Sequence, residues 1–172
     1  AFLQLPSGEV HCYFSLELVG SNDQEIMMSR SFDNGLTWTK AQRVSYRKGH
    51  RDGMPVAILT DNGEIVVTIE DNGQPGYESP DGFRATSLRC TLEQNWYDFW
   101  VDGGSPNRTT LLEDKAGLKY RGGGPYIRKL PTGETVASWM GEKAGLEDCG
   151  IDLYNHIVAV GDADARNFKC VN

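Results

Sequence analysis

The stretch Ser31-Phe32-Asp33-Asn34-Gly35-Leu36-Thr37-Trp38 decides how the rest of the chain is read. Gly35 can take the positive φ that an Asn-Gly turn needs, and the Asp33 carboxylate can accept hydrogen bonds from the turn's own amides. Trp38 offers a large apolar plate to pack under the turn. Ile26-Met27-Met28-Ser29-Arg30 enters the turn as one expected strand, and the residues from Trp38 through Val44 leave it as another. A single hairpin turn of this kind fits any β-protein, so the rest of the sequence is its test.

Working outward, strand signals dominate. Leu3-Gln4-Leu5 leads through Pro6-Ser7-Gly8-Glu9 into Val10-His11-Cys12-Tyr13-Phe14-Ser15. The same unit returns as Pro55–Leu59, the turn Thr60-Asp61-Asn62-Gly63-Glu64, and Ile65–Ile69. It returns again as Pro125–Leu130, Pro131-Thr132-Gly133-Glu134, and Thr135–Trp139. Each unit has a Leu before its turn and Gly-Glu at its end, with the turn glycines at 8, 63 and 133. Phe83–Leu92 and Ile157–Val160 are expected as third strands, followed by worn versions of the opening turn near Thr91–Trp96 and Gly161–Phe168. Repeated four-stranded units joined by hairpin turns predict a β-propeller. A β-sandwich, the competing architecture, does not explain the threefold return of one unit. The expected fold is therefore all-β, a partial propeller of about three four-stranded blades, at about 1–46, 51–110 and 121–172. A propeller ring closes with four to eight blades. The sequence is thus expected to be part of one propeller domain, completed by further blades of the same polypeptide or of another chain.

Polar residues recur at matched places. Arg-x-Gly-x-Pro precedes two of the hairpins, as Arg51-Asp52-Gly53-Met54-Pro55 and as Arg121-Gly122-Gly123-Gly124-Pro125. A glutamate follows each second strand: Glu17, Glu70 and Glu142. In an up-and-down blade these residues all lie on one face of the disc, opposite the Gly-Glu turns and the Asp33 turn. The first strand of a blade is innermost, so Arg51 and Arg121 are expected to reach toward the axis, beside Glu70 and Glu142. Glu17 reads as a solvated loop charge, and Asp52 and Asp71 are acids close enough to take a carboxylate role. Two carboxylates across a sugar-sized pocket are what glycoside hydrolysis requires, and an arginine can grip a sugar's hydroxyls or carboxylate with two donors. Tyr77, Tyr120, Tyr126, Trp96 and Trp139 could offer stacking faces.

These residues carry a resemblance. The turn at Ser31–Trp38, with the runs Arg51–Pro55 and Gly123–Ile127, is similar to the Asp-box β-propellers of the sialidase superfamily, and within it to the exo-1,5-α-L-arabinanases. The resemblance extends over the whole chain but covers about half of such a protein. It implies a six-bladed fold and an exo-acting, retaining glycoside hydrolase of arabinan-type oligosaccharides, secreted or extracellular. It gives Glu70 the position of the acid/base and Glu142 that of the nucleophile, with Arg51, Asp52, Arg121 and Tyr126 toward the substrate. A sialidase and a non-catalytic propeller that binds carbohydrate or protein stay open. The opening Arg-Ile-Pro of sialidases is missing, and only two candidate arginines are present.

Composition narrows the classes. With 17 basic and 24 acidic residues the formal net charge is -7, which argues against nucleic acid or an anionic membrane as the main partner. No apolar run approaches the roughly 20 residues of a membrane span. His11, His50 and His156 have no metal-ligand spacing, and Gly122-Gly123-Gly124 is not followed by the Lys-Ser/Thr of a phosphate loop. No metal or cofactor is therefore expected. Cys12, Cys90, Cys149 and Cys170 are widely spaced and read as scattered thiols. Asn107-Arg108-Thr109 fits a glycosylation triplet and carries no other signal.

Overall fold

The computed structural model describes residues 1–73, 82–113, 120–143 and 155–171, without the side chains of Tyr120, Arg121, Glu142, Lys143 and Asn155. Tyr77 and Cys149 lie outside the described residues, as do the side chains of Tyr120, Arg121 and Glu142. Among the described residues there is no helix, and the strands form three four-stranded sheets. The first holds β1 (Phe2–Gln4), β2 (Val10–Glu17), β3 (Gln24–Ser31) and β4 (Gln42–Ser45). The second holds β5 (Asp52–Leu59), β6 (Glu64–Asp71), β7 (Arg84–Thr91) and β8 (Arg108–Thr110). The third holds β9 (Tyr120–Lys129), β10 (Thr135–Lys143), β11 (Asn155–Gly161) and β12 (Lys169–Cys170). In every sheet the strands pair antiparallel in chain order, so each is an up-and-down blade. Strand β5 packs on the first blade and β9 on the second, which makes three successive blades of a β-propeller.

Side chains alternate across a strand, so a blade between two others must be apolar on both faces. The run Ile65-Val66-Val67 in β6 does this. Ile65, Val67 and Ile69 join Tyr13, Ile26 and Met28 in one core, while Val66 joins Ile127, Ala137 and Trp139 in the next. Trp96 and Trp139 are core residues, 0% and 2% exposed, and not the stacking faces the sequence allowed them to be. Cys90 is buried, and burial pushes its thiol up to about 12. Among the described residues Cys12 and Cys90 form no disulfide.

The opening turn is built as its residues suggest. Ser31 Oγ accepts the Gly35 N–H at 2.7 Å and donates to Asp33 Oδ1 at 2.8 Å. Asp33 also accepts the Thr37 hydroxyl at 2.6 Å and the Thr37 N–H at 2.8 Å. Asn34 and Gly35 have φ of 59° and 88°, and Trp38 Nε1 donates to the Gly35 carbonyl at 3.1 Å. Strand β4 starts at Gln42 and not at Trp38, whose ring lies on Gly35 as part of the turn. The same place in the other blades holds Asn95 and Ala165, with φ of 43° and 54°. In the third blade Asp162 supplies the cap, accepting the N–H of Arg166 at 2.8 Å.

The repeated Gly-Glu now has a reason. Glu9 pairs with Arg30 of β3 at 2.9 Å and accepts from Asn95 Nδ2 in the next blade's turn. Glu64 accepts two donors of Arg166 in the third blade's turn, at 2.6 and 2.9 Å. Arg30 and Arg89 themselves donate to the carbonyls of Asn95 and Ala165. Glutamate and arginine of one blade thus bind the positive-φ turn of the next. The sequence reading missed Arg30 and Arg89, since their partners lie in the next blade's turn, 65 and 76 residues along the chain.

Two outcomes follow for stability. Arg89 is 7% exposed and satisfies two backbone carbonyls, so Arg89→Ala is expected to lower unfolding free energy by about 2–4 kcal/mol. Lys129→Ala, which removes an exposed pair with Asp61, should cost less than about 1 kcal/mol, and urea titration of both variants checks the contrast. The hydrogen bonds from Thr37, with that from Ser31, lower the Asp33 pKa to about 2. A carboxylate depressed in the folded state stabilises above its unfolded pKa of about 3.9. The difference in urea midpoint between the protein and Asp33→Ala should therefore be constant above about pH 5 and shrink as pH falls toward 2.

Candidate functional site

The face carrying the ends of β2, β6 and β10 also carries the starts of β5 and β9, and the two Arg-x-Gly-x-Pro runs are alike in backbone. Opposite Ile69, β5 has an extra residue between Gly53 and Val56; opposite Trp139, β9 has one between Gly123 and Tyr126. These are β-bulges, where a proline, lacking an N–H, removes no ladder bond. The residue before each proline is left-handed: Met54 at φ 52° and Gly124 at 62°. Each bulge turns its amide toward the previous blade. Met54 N donates to Ser15 Oγ at 3.2 Å, and Gly124 N to Glu70 Oε2 at 2.9 Å.

Glu70 is thereby the best-defined carboxylate of the site. It is half-buried and its backbone pairs with Gly53 across the β5–β6 ladder. A β-carbon on Gly53 would stand 2.7 Å from Glu70 Oε1, and one on Gly123 would stand 2.4 Å from Oε2. The glycine shared by the two runs is therefore the space that the Glu70 carboxylate occupies from both sides. Gly124, which donates to Glu70, also lines an open pocket of about 490 Å³ together with Ser15, Met54 and Tyr126, and Glu70 itself is not part of that lining. Met54 and Tyr126 are 58% and 47% exposed there. Tyr126 accepts from Arg128 Nε at 3.1 Å.

Other expected residues are placed differently. Arg51 does not reach the axis: its guanidinium donates to Glu17 Oε1 at 2.6 Å and to the Asn22 carbonyl at 3.0 Å. Glu17, read as an unpartnered charge, is the other half of that pair. Asp52 is fully buried. Its two oxygens accept Arg108 Nη1 and Nη2 at 2.8 and 2.7 Å, and Ser45 donates to it at 2.6 Å. Asp71, also fully buried, accepts Arg108 Nη1 at 2.7 Å. Burial pushes the Asp52 carboxyl up, and Arg108 opposes it. Burial likewise works against the Arg108 cation, but the hydrogen bonds and charges of the two aspartates hold its pKa above the usual arginine value. Arg108 had no sequence signal beyond the glycosylation triplet.

Backbone register separates Glu70 from Glu142. Gly123, the counterpart of Gly53, pairs with Met140, and Arg121 pairs with Glu142. Met140 thus holds Glu70's place in the third blade, and Glu142 lies two residues further along the strand, level with Asn72 in the second. No group of acidic, histidine or cysteine side chains able to hold a metal is present among the described residues.

No protein-family model matches the sequence, and no curated protein matches it. Solved structures do. A protein of unknown function from Dyadobacter fermentans DSM 18053 is similar with a TM-score of 0.69 and 13% identity, over 97% of this chain and 38% of that one. The GH93 α-L-arabinofuranosidase of Fusarium graminearum, in complex with arabinobiose, gives 0.65 and 17%, over 99% of this chain and 46% of that one. The Penicillium chrysogenum α-L-arabinanase, also with arabinobiose, gives 0.61 and 14%, over 98% and 48%. The likeness is one of fold. The chain spans between 38% and 48% of the length of these three structures.

The glycine contacts yield a direct check. In Gly123→Ala the new methyl group meets the flexible end of Glu70, so the fold should persist while the carboxylate leaves the Gly124 amide. In Gly122→Ala it meets the Met140 carbonyl at 2.2 Å, backbone that cannot yield. The first variant is expected to melt within a few degrees of the parent and the second well below it. Thermal melts and the Gly124 amide resonance distinguish the two.

Proposed function

We propose that the protein is a glycoside hydrolase that removes sugars from the ends of arabinan-type oligosaccharides with retention of configuration. The observation that carries this reading is the Glu70 carboxylate, held between two glycines by the amide of Gly124, a residue that lines an open pocket. The fold it shares with structures that hold arabinobiose supports the sugar class. Glu70 is proposed as acid/base and Glu142 as nucleophile. One protonates the leaving oxygen while the other attacks the anomeric carbon; water then releases the glycosyl-enzyme with Glu70 as base. Arg121 and Tyr126 are proposed to hold the sugar, with Arg51 at the rim. Asp52, being buried, supports from beneath. Three blades wall only part of an axial pocket, and further blades, of this polypeptide or of a second chain, are proposed to complete it. An extracellular location fits a polymeric substrate.

The test is hydrolysis by the whole protein of arabinobiose and of a panel of aryl glycosides that includes the sialic acid one. Glu70→Gln and Glu142→Gln are each expected to lower kcat by at least about 100-fold, and proton NMR of the first-formed product should show retention. Full activity in both variants would sink the assignment, and turnover of the sialoside alone would replace it with a sialidase.

A further inference from the structure

We infer that Arg108 is a positioning residue for Glu70, acting through the paired aspartates Asp52 and Asp71. The inference rests on the reading of Glu70 as a catalytic carboxylate.

Two consecutive cross-strand pairs close the β5–β6 ladder at the pocket end: Gly53 with Glu70, then Asp52 with Asp71. Because side chains alternate, Glu70 points toward the third blade, whereas the two aspartates point the other way, into the protein. Like charges directly opposite each other on adjacent strands repel. Here they are also out of water, with side chains 0% exposed. Arg108, 1% exposed, answers both with three hydrogen bonds of 2.7 to 2.8 Å and ties its own Nε to the Asp102 carbonyl at 3.1 Å. Ser45 and the Gly73 amide take one further oxygen position each.

A buried ion group of this kind is weak as a source of stability, because desolvation offsets the attraction, and apolar replacements are often neutral. What it supplies is geometry. The guanidinium fork sets the separation of the two strands at the pair directly beside Gly53 and Glu70. A spread there would lift the Glu70 carboxylate off the Gly124 amide, where the two glycines leave it no slack. Lysine carries the same charge at one point and cannot reproduce the fork.

The experiment compares Arg108→Lys with the parent in the whole protein. The Gly124 amide resonance is expected to move, and the melting point to stay within a few degrees. In hydrolysis of arabinobiose, kcat should fall by about 10- to 100-fold while KM changes less than about threefold, as for a misplaced catalytic group. An unmoved Gly124 amide, or a kcat that falls only in step with the folded fraction, overturns the inference. If Arg108→Lys does not fold, Asp71→Asn, which keeps Arg108 paired to Asp52, is measured in the same way and decides by the same signs. Full activity in Glu70→Gln sinks the catalytic reading instead, and the Gly124 resonance still reports whether Arg108 holds the carboxylate in place.

Discussion

The second blade is covered on both faces, and that constraint shapes everything near the site. A sheet packed between two others can leave few unmatched polar groups inside, since an unpaired buried donor or charge costs more than its bond returns. Most of β6 meets this with aliphatic side chains on both sides. Three charges that enter the interior are met there: Arg30 and Arg89 by carbonyls of the next blade's turn, Arg108 by two aspartates. These arginines all lie on outer strands and reach inward or onward. The long side chain places the charge where a backbone could not.

The same economy explains why turns and site are on opposite faces. At one face the Gly-Glu hairpins and the Asp33-type turns interlock, blade to blade, through side chain and carbonyl. At the other, the bulges of β5 and β9 aim amides at the preceding blade. Ser15 and Glu70 both lie seven residues past their turn glycines, and each meets the bulge amide of the following blade. In the first blade that meeting is a hydroxyl and an amide, which is structural. In the second it is a carboxylate on the amide of a pocket-lining glycine. One backbone device thus serves packing in one repeat and, on the proposed reading, chemistry in the next.

Much of this was legible in the chain. The strand-turn-strand units, the turn at Ser31–Trp38 and the Arg-x-Gly-x-Pro runs are local, and local signals survive without coordinates. The glutamates were less well read. Their place at the ends of second strands put Glu17, Glu70 and Glu142 in one class, but Glu142 lies nine residues past its turn glycine and Glu70 seven, and the ladder register keeps that two-residue difference. Ala165 takes the left-handed position that Gly35 holds in the first blade, so the third turn keeps its shape after losing its glycine. Arg108 could not be found by pattern, because nothing near it in sequence touches its aspartates.

The sequence by itself determined the all-β blades and the face that carries the Arg-x-Gly-x-Pro runs, because periodicity and positive-φ turns act over a few residues. Only the tertiary structure decided which charge meets which. It turned Arg51 to Glu17, buried Asp52 under Arg108 and set Glu70 against Gly124, across 34, 56 and 54 residues of chain. Such partners are chosen by how one blade stacks on the next, and stacking is a property of the folded sheets, not of any stretch within them.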